Sequence, residues 1–473
     1  MGSSVLFGSE FRVVNVGLDL FADAVRAQDH SVAEVDWRPP AGGDPELVRL
    51  LVADSATRDR VEAANRETMD RLFRARPVWV DVRKAGDVVP DFPDRTLLHS
   101  GPARPFELMC GPHRRAAAWT AVFEGWAPDP ESAAVALADG SIRLEPANAH
   151  AVVIPMAGVV SPSMAVHVVS DAATGKTAYS PINEGRERTC WNGNPDRSTL
   201  DRLGWFRDEF AGSLSAALHK SGGVDLFGLF AQSLQMGDEL HARLPATTAL
   251  LLRSTVGPML EAGVPAPTVA RAARFFEGNS LFGLTVVMAA CKVAADIGHG
   301  VPWSSVVTGM SRNGIDFAVR IGGLGERWLT APAPPMDKAV YYSGFSVRNA
   351  AGDIGDSAIL EVVGLGGMAI AAAPTVAAFV GGTVDDQIAA TDDLRQITVA
   401  THPRFTVPQL GFAGTPAGID VRRVVETGIV PFIDTGAVHD DDPDVGQIGA
   451  GIAVAPIEVF RRALVELGET WGI

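Results

Sequence analysis

The run Gln235-Met236-Gly237-Asp238-Glu239-Leu240-His241-Ala242-Arg243 gathers acids, a base and a guanidinium just after an apolar, helix-like stretch. An imidazole near a carboxylate can take and return a proton, and a guanidinium can grip a carboxylate or phosphate through parallel hydrogen bonds. On that reading His241 is a general base and Asp238 orients it. A charged helix cap leading into an exposed turn is the alternative. His150 is a second proton-transfer candidate, although a lone histidine often serves only the fold. It precedes Ile154-Pro155-Met156-Ala157-Gly158-Val159-Val160-Ser161-Pro162-Ser163-Met164, where two prolines and a glycine fix the backbone. Ser161 and Ser163 are read there as oxyanion donors; a plain structural turn entering a strand is the competing reading.

Glycine turns recur beside polar side chains further along. Ser311-Arg312-Asn313-Gly314-Ile315-Asp316 sets Arg312, Asn313 and Asp316 around one glycine. Thr415-Pro416-Ala417-Gly418-Ile419-Asp420-Val421-Arg422 sets Thr415 and Arg422 around another. These residues are read as substrate contacts, with Arg312 and Arg422 holding anions. Glu361 lies inside an apolar run, where an unpaired carboxylate is costly. His439 beside Asp440, Asp441, Asp442 and Asp444 raises a divalent metal, but consecutive aspartates more often form a solvated loop, and no metal is assigned.

The ordinary nucleotide motifs fail on spacing. Gly175-Lys176-Thr177 resembles the end of a phosphate loop, yet Ser170 stands where the first glycine belongs, so a hairpin turn is expected. Gly17 ends a strand-like run and Asp36 follows near the distance of a ribose-binding acid, without the other glycines of a dinucleotide fingerprint. A nicotinamide-dependent enzyme using Asp36 therefore stays a rival reading. No Gly-x-Ser-x-Gly occurs, and Cys110, Cys190 and Cys291 have no recognisable local partner. The candidate residues offer anion contacts, oxyanion donors and a base, and no cofactor is assigned.

The elements that must position these groups read as strand, helix, strand, helix, strand over the first 85 residues. Arg12 to Gly17, Ser31 to Trp37 and Pro77 to Val82 are the strands, and Ser55 is an N-cap for a helix burying Val61, Met69, Leu72 and Phe73. A small Rossmann-like layer with parallel strands is expected. Residues 86–225 mix short strands with turns and end in a helix from Asp201 to Leu218. Residues 226–300 are mostly helical, and residues 301–473 alternate strand-like runs (Ala358 to Val363, Ile429 to Ile433) with helices, the last being Ile457 to Leu467. The fold class expected is multi-domain α/β and α+β, divided as 1–85, 86–225, 226–300 and 301–473.

Bulk properties narrow the function classes. A chain of 473 residues exceeds one hydrophobic core, and 47% hydrophobic with 20% charged residues is ordinary for globular domains. Net charge −16 with no basic run argues against nucleic acid. Three scattered cysteines build no disulfide framework, and the N-terminus lacks a secretory pattern, so a cytoplasmic protein is expected. The apolar stretch Val362 to Val380 is interrupted by Gly364, Gly366, Gly367 and Pro374 and is read as buried core, not a membrane span.

Several of these runs together resemble the YlbE-like family. They are Val35-Asp36-Trp37-Arg38-Pro39-Pro40-Ala41-Gly42-Gly43-Asp44, Met109-Cys110-Gly111-Pro112, Pro155-Met156-Ala157-Gly158-Val159 and Met236-Gly237-Asp238-Glu239. Arg312-Asn313-Gly314, Gly355-Asp356-Ser357-Ala358, the Gly414 to Arg422 run and Gly446-Gln447-Ile448-Gly449-Ala450-Gly451 continue the match in order along the chain. The resemblance implies a Rossmann-like N-terminal domain, unusual α+β domains and a small helical domain. It also implies a link to bacterial oxamate carbamoyltransferase, which works with an FdrA-like synthetase subunit. The function expected is transfer of a carbamoyl or related acyl group from a small phosphorylated donor, such as carbamoyl phosphate, to a small amide or amine such as oxamate. A homo-oligomer within such an assembly is expected. A non-catalytic organising subunit is the rival. Two departures from the family pattern fall at the His150 segment and at Gln235.

Overall fold

A computed structural model of the chain describes residues 13–16, 19–35, 39–377 and 382–473. Strand β1 (Val13–Val16), helix α1 (Asp19–Arg26) and strand β2 (Val32–Val35) form the expected opening, with β1 and β2 paired in parallel. Gly17 and Asp36, on which the nicotinamide reading rests, lie outside the described residues. Helix α2 (Pro45–Leu51) starts where Asp44 accepts the backbone N–H groups of Glu46 and Leu47 and Pro45 supplies a preset φ. Helix α3 (Ser55–Arg74) is capped by Asp54, one residue before the expected Ser55, because its carboxylate takes both Thr57 N and Thr57 Oγ1.

Strand β3 (Val78–Lys84) departs from the expected parallel layer. The helical turn α4 (Ala85–Val88) follows, then strand β4 (Thr96–His99), helices α5 (Gly111–Phe123) and α6 (Pro130–Ala138), and strands β5 (Arg143–Pro146), β6 (Val159–Val160), β7 (Ala165–Ser170) and β8 (Thr177–Pro181). β3 pairs antiparallel with β7, not with β1 or β2, and the short strand β9 (Val224–Asp225) completes the sheet order β8-β7-β3-β9. β3 buries Trp79 and Val82 across an irregularity in its pairing between Trp79 and Asp81, and strand periodicity does not say which strand is the neighbour. The β7–β8 hairpin contains Gly175 at φ +72°, so Gly175-Lys176-Thr177 is a turn as expected.

The helix expected from Asp201 to Leu218 runs as α7 (Arg197–Trp205) and α8 (Ala211–Ser221), joined through one wider turn at Phe206–Phe210. Helices α9 (Leu226–Gln235), α10 (Pro245–Glu261), α11 (Ala266–Gly278) and α12 (Gly283–Gly298) follow. α12 is nearly enclosed, and its one basic side chain, Lys292, pairs with Asp296 at 2.8 Å. No single helix among the described residues is long and apolar enough to cross a membrane.

In the last third, strands β10 (Val307–Asn313), β11 (Asp316–Ile321) and β12 (Trp328–Pro332) form an antiparallel meander. Residues Ile359–Val363, expected as a strand, form the helical turn α13, ended by Gly364 at φ +100°. A short apolar run buried on every side cannot be assigned from periodicity alone. Helix α14 (Val384–Gln396) and the hairpin β13 (Thr398–Val407) and β14 (Ala413–Ile419) precede helix α15 (Val421–Thr427). Strand β15 (Phe432–Val438) starts late in the expected Ile429–Ile433 run and pairs with β16 (Gln447–Val454), and helix α16 (Ile457–Trp471) closes the chain. One apolar core runs through all four expected divisions. It supports the loops that meet at the cavity described next.

Candidate functional site

α9 ends at Gln235, and the chain turns through Gly237 at φ +97° and Leu240 at φ +74°. The loop is wrapped around the Glu239 carboxylate, which accepts the backbone N–H groups of His241 (2.5 Å), Ala242 (2.6 Å) and Arg243 (2.8 Å). Asp238 caps α10, accepting Thr247 N at 2.7 Å and Thr247 Oγ1 at 3.0 Å. It therefore does not orient His241, contrary to expectation: its Oδ2 is committed to the helix start, and its Oδ1 lies 3.9 Å from Arg243 Nε. The group on His241 is Glu361, whose Oε1 lies 2.8 Å from Nδ1. Glu361 also accepts Gly367 N at 3.0 Å. Gly366, at φ +57°, permits this approach: a Cβ there would lie 2.2 Å from Glu361 Oε1 and 3.0 Å from His241 Nδ1.

His241, with Glu361 buried behind it, forms part of the wall of a cavity of about 690 Å3, within the range of small-molecule sites. His241 lines it, and among the described residues Nε2 has no hydrogen-bond partner. With Nδ1 donating to Glu361, Nε2 of the neutral ring carries its lone pair. Asp434, from β15, lines the same cavity. Burial pushes the Glu239 carboxyl up to about 7, against the pull of the His241, Ala242 and Arg243 donors. Burial, followed by the charges of Glu239 and Glu361, raises Asp434 well above the usual carboxylate range.

Elsewhere the lining sets cationic and amide side chains among apolar ones such as Trp191, Leu244 and Leu284. Arg186 and Arg188 come from the loop between β8 and α7, with Asn192 and Asn194, while Arg243 comes from the His241 loop. Buried Glu184 ties the former loop by accepting Cys190 N at 3.1 Å, and burial raises its carboxyl to about 7. Arg186 donates to Ser280 at 2.9 Å, and Arg243 Nε donates to Gly237 O at 2.9 Å with Asp238 Oδ1 3.9 Å away, contacts that leave other N–H groups of each guanidinium open to an anion. Arg188 is held more fully, by Asp196 at 2.9 Å and Asp444 at 2.8 Å. The arrangement can bind a small anion beside a general base.

The other expected site residues lie away from this cavity. Arg312 is fully buried and satisfied, reaching Asp353 through bonds of 2.8 and 2.9 Å and Gly355 O at 2.6 Å. Arg422 is likewise held by Asp420 and Glu62, each at 2.7 Å. Neither guanidinium is open to an anion, because a buried cation must be paired within the fold. Asn313 Oδ1 accepts the backbone of Ile315 and Asp316, and Asp316 pairs with Arg104 at 2.6 Å. Ser163 binds Glu124 through both N and Oγ, and Ser161 is enclosed with its Oγ unpartnered. Thr415 is enclosed in β14, and His150 pairs with Glu145 at 2.8 Å. Of the serine turn, Pro155 and Met156 reach the cavity.

Sequence reasoning did not assign Arg186, Arg188 or Asp434. Glu184-Gly185-Arg186-Glu187-Arg188 reads as an ordinary solvated charge run. Glu361 did carry a signal, as an acid in an apolar stretch.

The model of a protein family described as oxamate carbamoyltransferase subunit AllG matches residues 142–357, a span that holds the His241 loop and both rim arginines Arg186 and Arg188. The uncharacterized protein YahG of Escherichia coli K12 is 38% identical over 473 residues, the full length of both chains. The oxamate carbamoyltransferase subunit AllG of the same organism is 38% identical over 416 residues, 87% of this chain and 99% of the relative. A crystal structure of a conserved protein of unknown function from Enterococcus faecalis V583 superposes with a TM-score of 0.85 at 37% identity, covering 88% of this chain and 99% of the other.

Proposed function

The chain belongs to the family of the oxamate carbamoyltransferase subunit AllG, and from that premise we propose that its cavity carries out carbamoyl or related acyl transfer. The donor is a small phosphorylated compound such as carbamoyl phosphate, and the acceptor a small amide or amine such as oxamate. The observation that carries this reading is His241: held on Glu361 by Nδ1, it turns a free Nε2 toward a cavity lined by arginines. The acceptor nitrogen forms a bond to the carbamoyl carbon, the carbon–oxygen bond to phosphate breaks, and phosphate leaves with the electron pair. The proton lost by the nitrogen passes to His241 Nε2. Arg186 and Arg243 hold the anionic ends of the substrates in the cavity. The chain works as part of an assembly that includes an FdrA-like synthetase subunit.

Purified protein, alone and with that partner subunit, is given carbamoyl phosphate and oxamate while phosphate release is followed. Acceptor-dependent release is expected. If no member of a panel of amides and amines increases release under either condition, the transfer reading is lost. Release that requires the partner subunit and persists in a His241 variant would make this chain an organising subunit instead.

A further inference from the structure

Behind the loop that carries His241, three carboxyl groups converge. Asp434 is 1% exposed and lines the cavity wall. Neither of its oxygens receives an N–H or backbone donor from the described residues. The group within hydrogen-bonding reach is the Glu239 carboxylate, and Glu361 is its other charged neighbour. His241, held on Glu361, is the basic group of the cluster. On the adjoining strand Asp434 is paired with Ile452, which brings no charge.

Two carboxyl groups cannot hydrogen-bond to each other without a proton between them. Glu239 already accepts three backbone N–H groups, which favour its ionised form. Asp434 accepts none. The proton therefore belongs on Asp434.

We propose that Asp434 is a proton-carrying positioning residue: its carboxylic acid donates to Glu239 and holds the loop that presents His241 and Arg243, so anion binding in the cavity depends on that proton. This deepens the reading above by giving the same site a pH dependence. Burial and the neighbouring charges of Glu239 and Glu361 favour the protonated form. Once the proton leaves, two adjacent negative charges repel. Glu239 is then displaced from the N–H groups it organises, and the loop with His241 and Arg243 loses its anchor.

Asp434→Asn supplies an N–H donor of the same shape, and Asp434→Ala removes the donor. Thermal unfolding without ligand, from about pH 4 to about pH 9, tests the proton alone. A group whose folded-state pKa is raised stabilises fully below its unfolded pKa, and that contribution is lost as pH rises toward the folded value. The unfolding temperature of Asp434→Asn should therefore gain on the parent steadily above about pH 4. A difference that stays constant over the range overturns the proposal.

Oxamate binding by calorimetry tests the consequence. The parent is expected to lose about tenfold in affinity on going from neutral to alkaline pH, a shift of about 1.4 kcal/mol. Asp434→Asn should keep its neutral affinity throughout, and Asp434→Ala should bind weakly at every pH. The same alkaline loss in Asp434→Asn as in the parent overturns the proposal. Neither arm measures phosphate release. A protein that transfers nothing yet shows the widening thermal difference fails the functional reading and keeps this one.

Discussion

Two buried acid–base pairs in this chain use the same chemistry to opposite ends. Arg312 meets Asp353 through two hydrogen bonds of 2.8 and 2.9 Å, with a third to Gly355 O, and both side chains are sealed from solvent. His241 meets Glu361 at the same 2.8 Å, but its Nε2 is left without a partner at a cavity wall. Nearly all buried polar groups in folded proteins are satisfied. A pair with every bond filled is part of the scaffold, whereas a pair with one capacity left open toward a cavity is available to a ligand. Residue type alone does not separate the two cases; the count of unfilled bonds does.

The contrast can be broken most directly at the scaffold pair. Arg312→Ala leaves Asp353 buried without its partner and should cost about 3–5 kcal/mol of stability, read from chemical denaturation. A cost below about 1 kcal/mol would place Arg312 outside the scaffold. At the open pair, His241→Asn keeps an N–H for Glu361 while removing Nε2. Acceptor-dependent phosphate release should fall about 100-fold, with less loss of stability than Arg312→Ala shows. A variant that releases phosphate at the parent rate would show that the free nitrogen is idle.

Gly366→Ala sharpens the comparison from the backbone side. Its Cβ would lie 2.2 Å from Glu361 Oε1, so the pair must separate, with a cost of about 2 kcal/mol in stability and a parallel fall in release. Unchanged stability and rate would mean that the close approach is not needed. The smallest effect is expected at the rim. Arg243→Gln should raise the KM for the anionic substrate about tenfold with little change in kcat, because it removes charge that acts in ground state and transition state alike. Arg422→Gln, at a guanidinium already paired with Asp420 and Glu62, should leave that KM unmoved. Equal effects at the two arginines would erase the distinction between an open and a filled guanidinium.

Much of the fold was legible in the amino-acid sequence. The β1–α1–β2 opening, the mostly helical stretch 226–300, and the Gly175 turn follow from periodicity and from glycine or proline at element ends. Pairing was less legible. β3 has the strand pattern expected of it, yet joins β7 in an antiparallel sheet, because a period of two fixes faces and not neighbours. α13 was misread as a strand because Ile359–Val363 is enclosed on all sides and carries no alternation. At the site, His241 and the anomalous acid Glu361 were visible as residues, but their meeting across 120 positions was not.

By itself, then, the sequence determined the residue types available for chemistry, the mixed α/β class, the local signals for most elements, and the family resemblance that the comparisons bear out. Tertiary structure decided which polar groups remained open. Arg312 and Arg422 found carboxylates inside the fold, Asp238 went to a helix start, and Ser163 was taken by Glu124. Arg243 and the less conspicuous Arg186 were left at a cavity with Asp434 and with His241, which Glu361 holds from behind. The reason is physical: a side chain's donors and acceptors are written in its covalent structure, but whether they are filled depends on partners far away in the chain, and only folding brings those into reach.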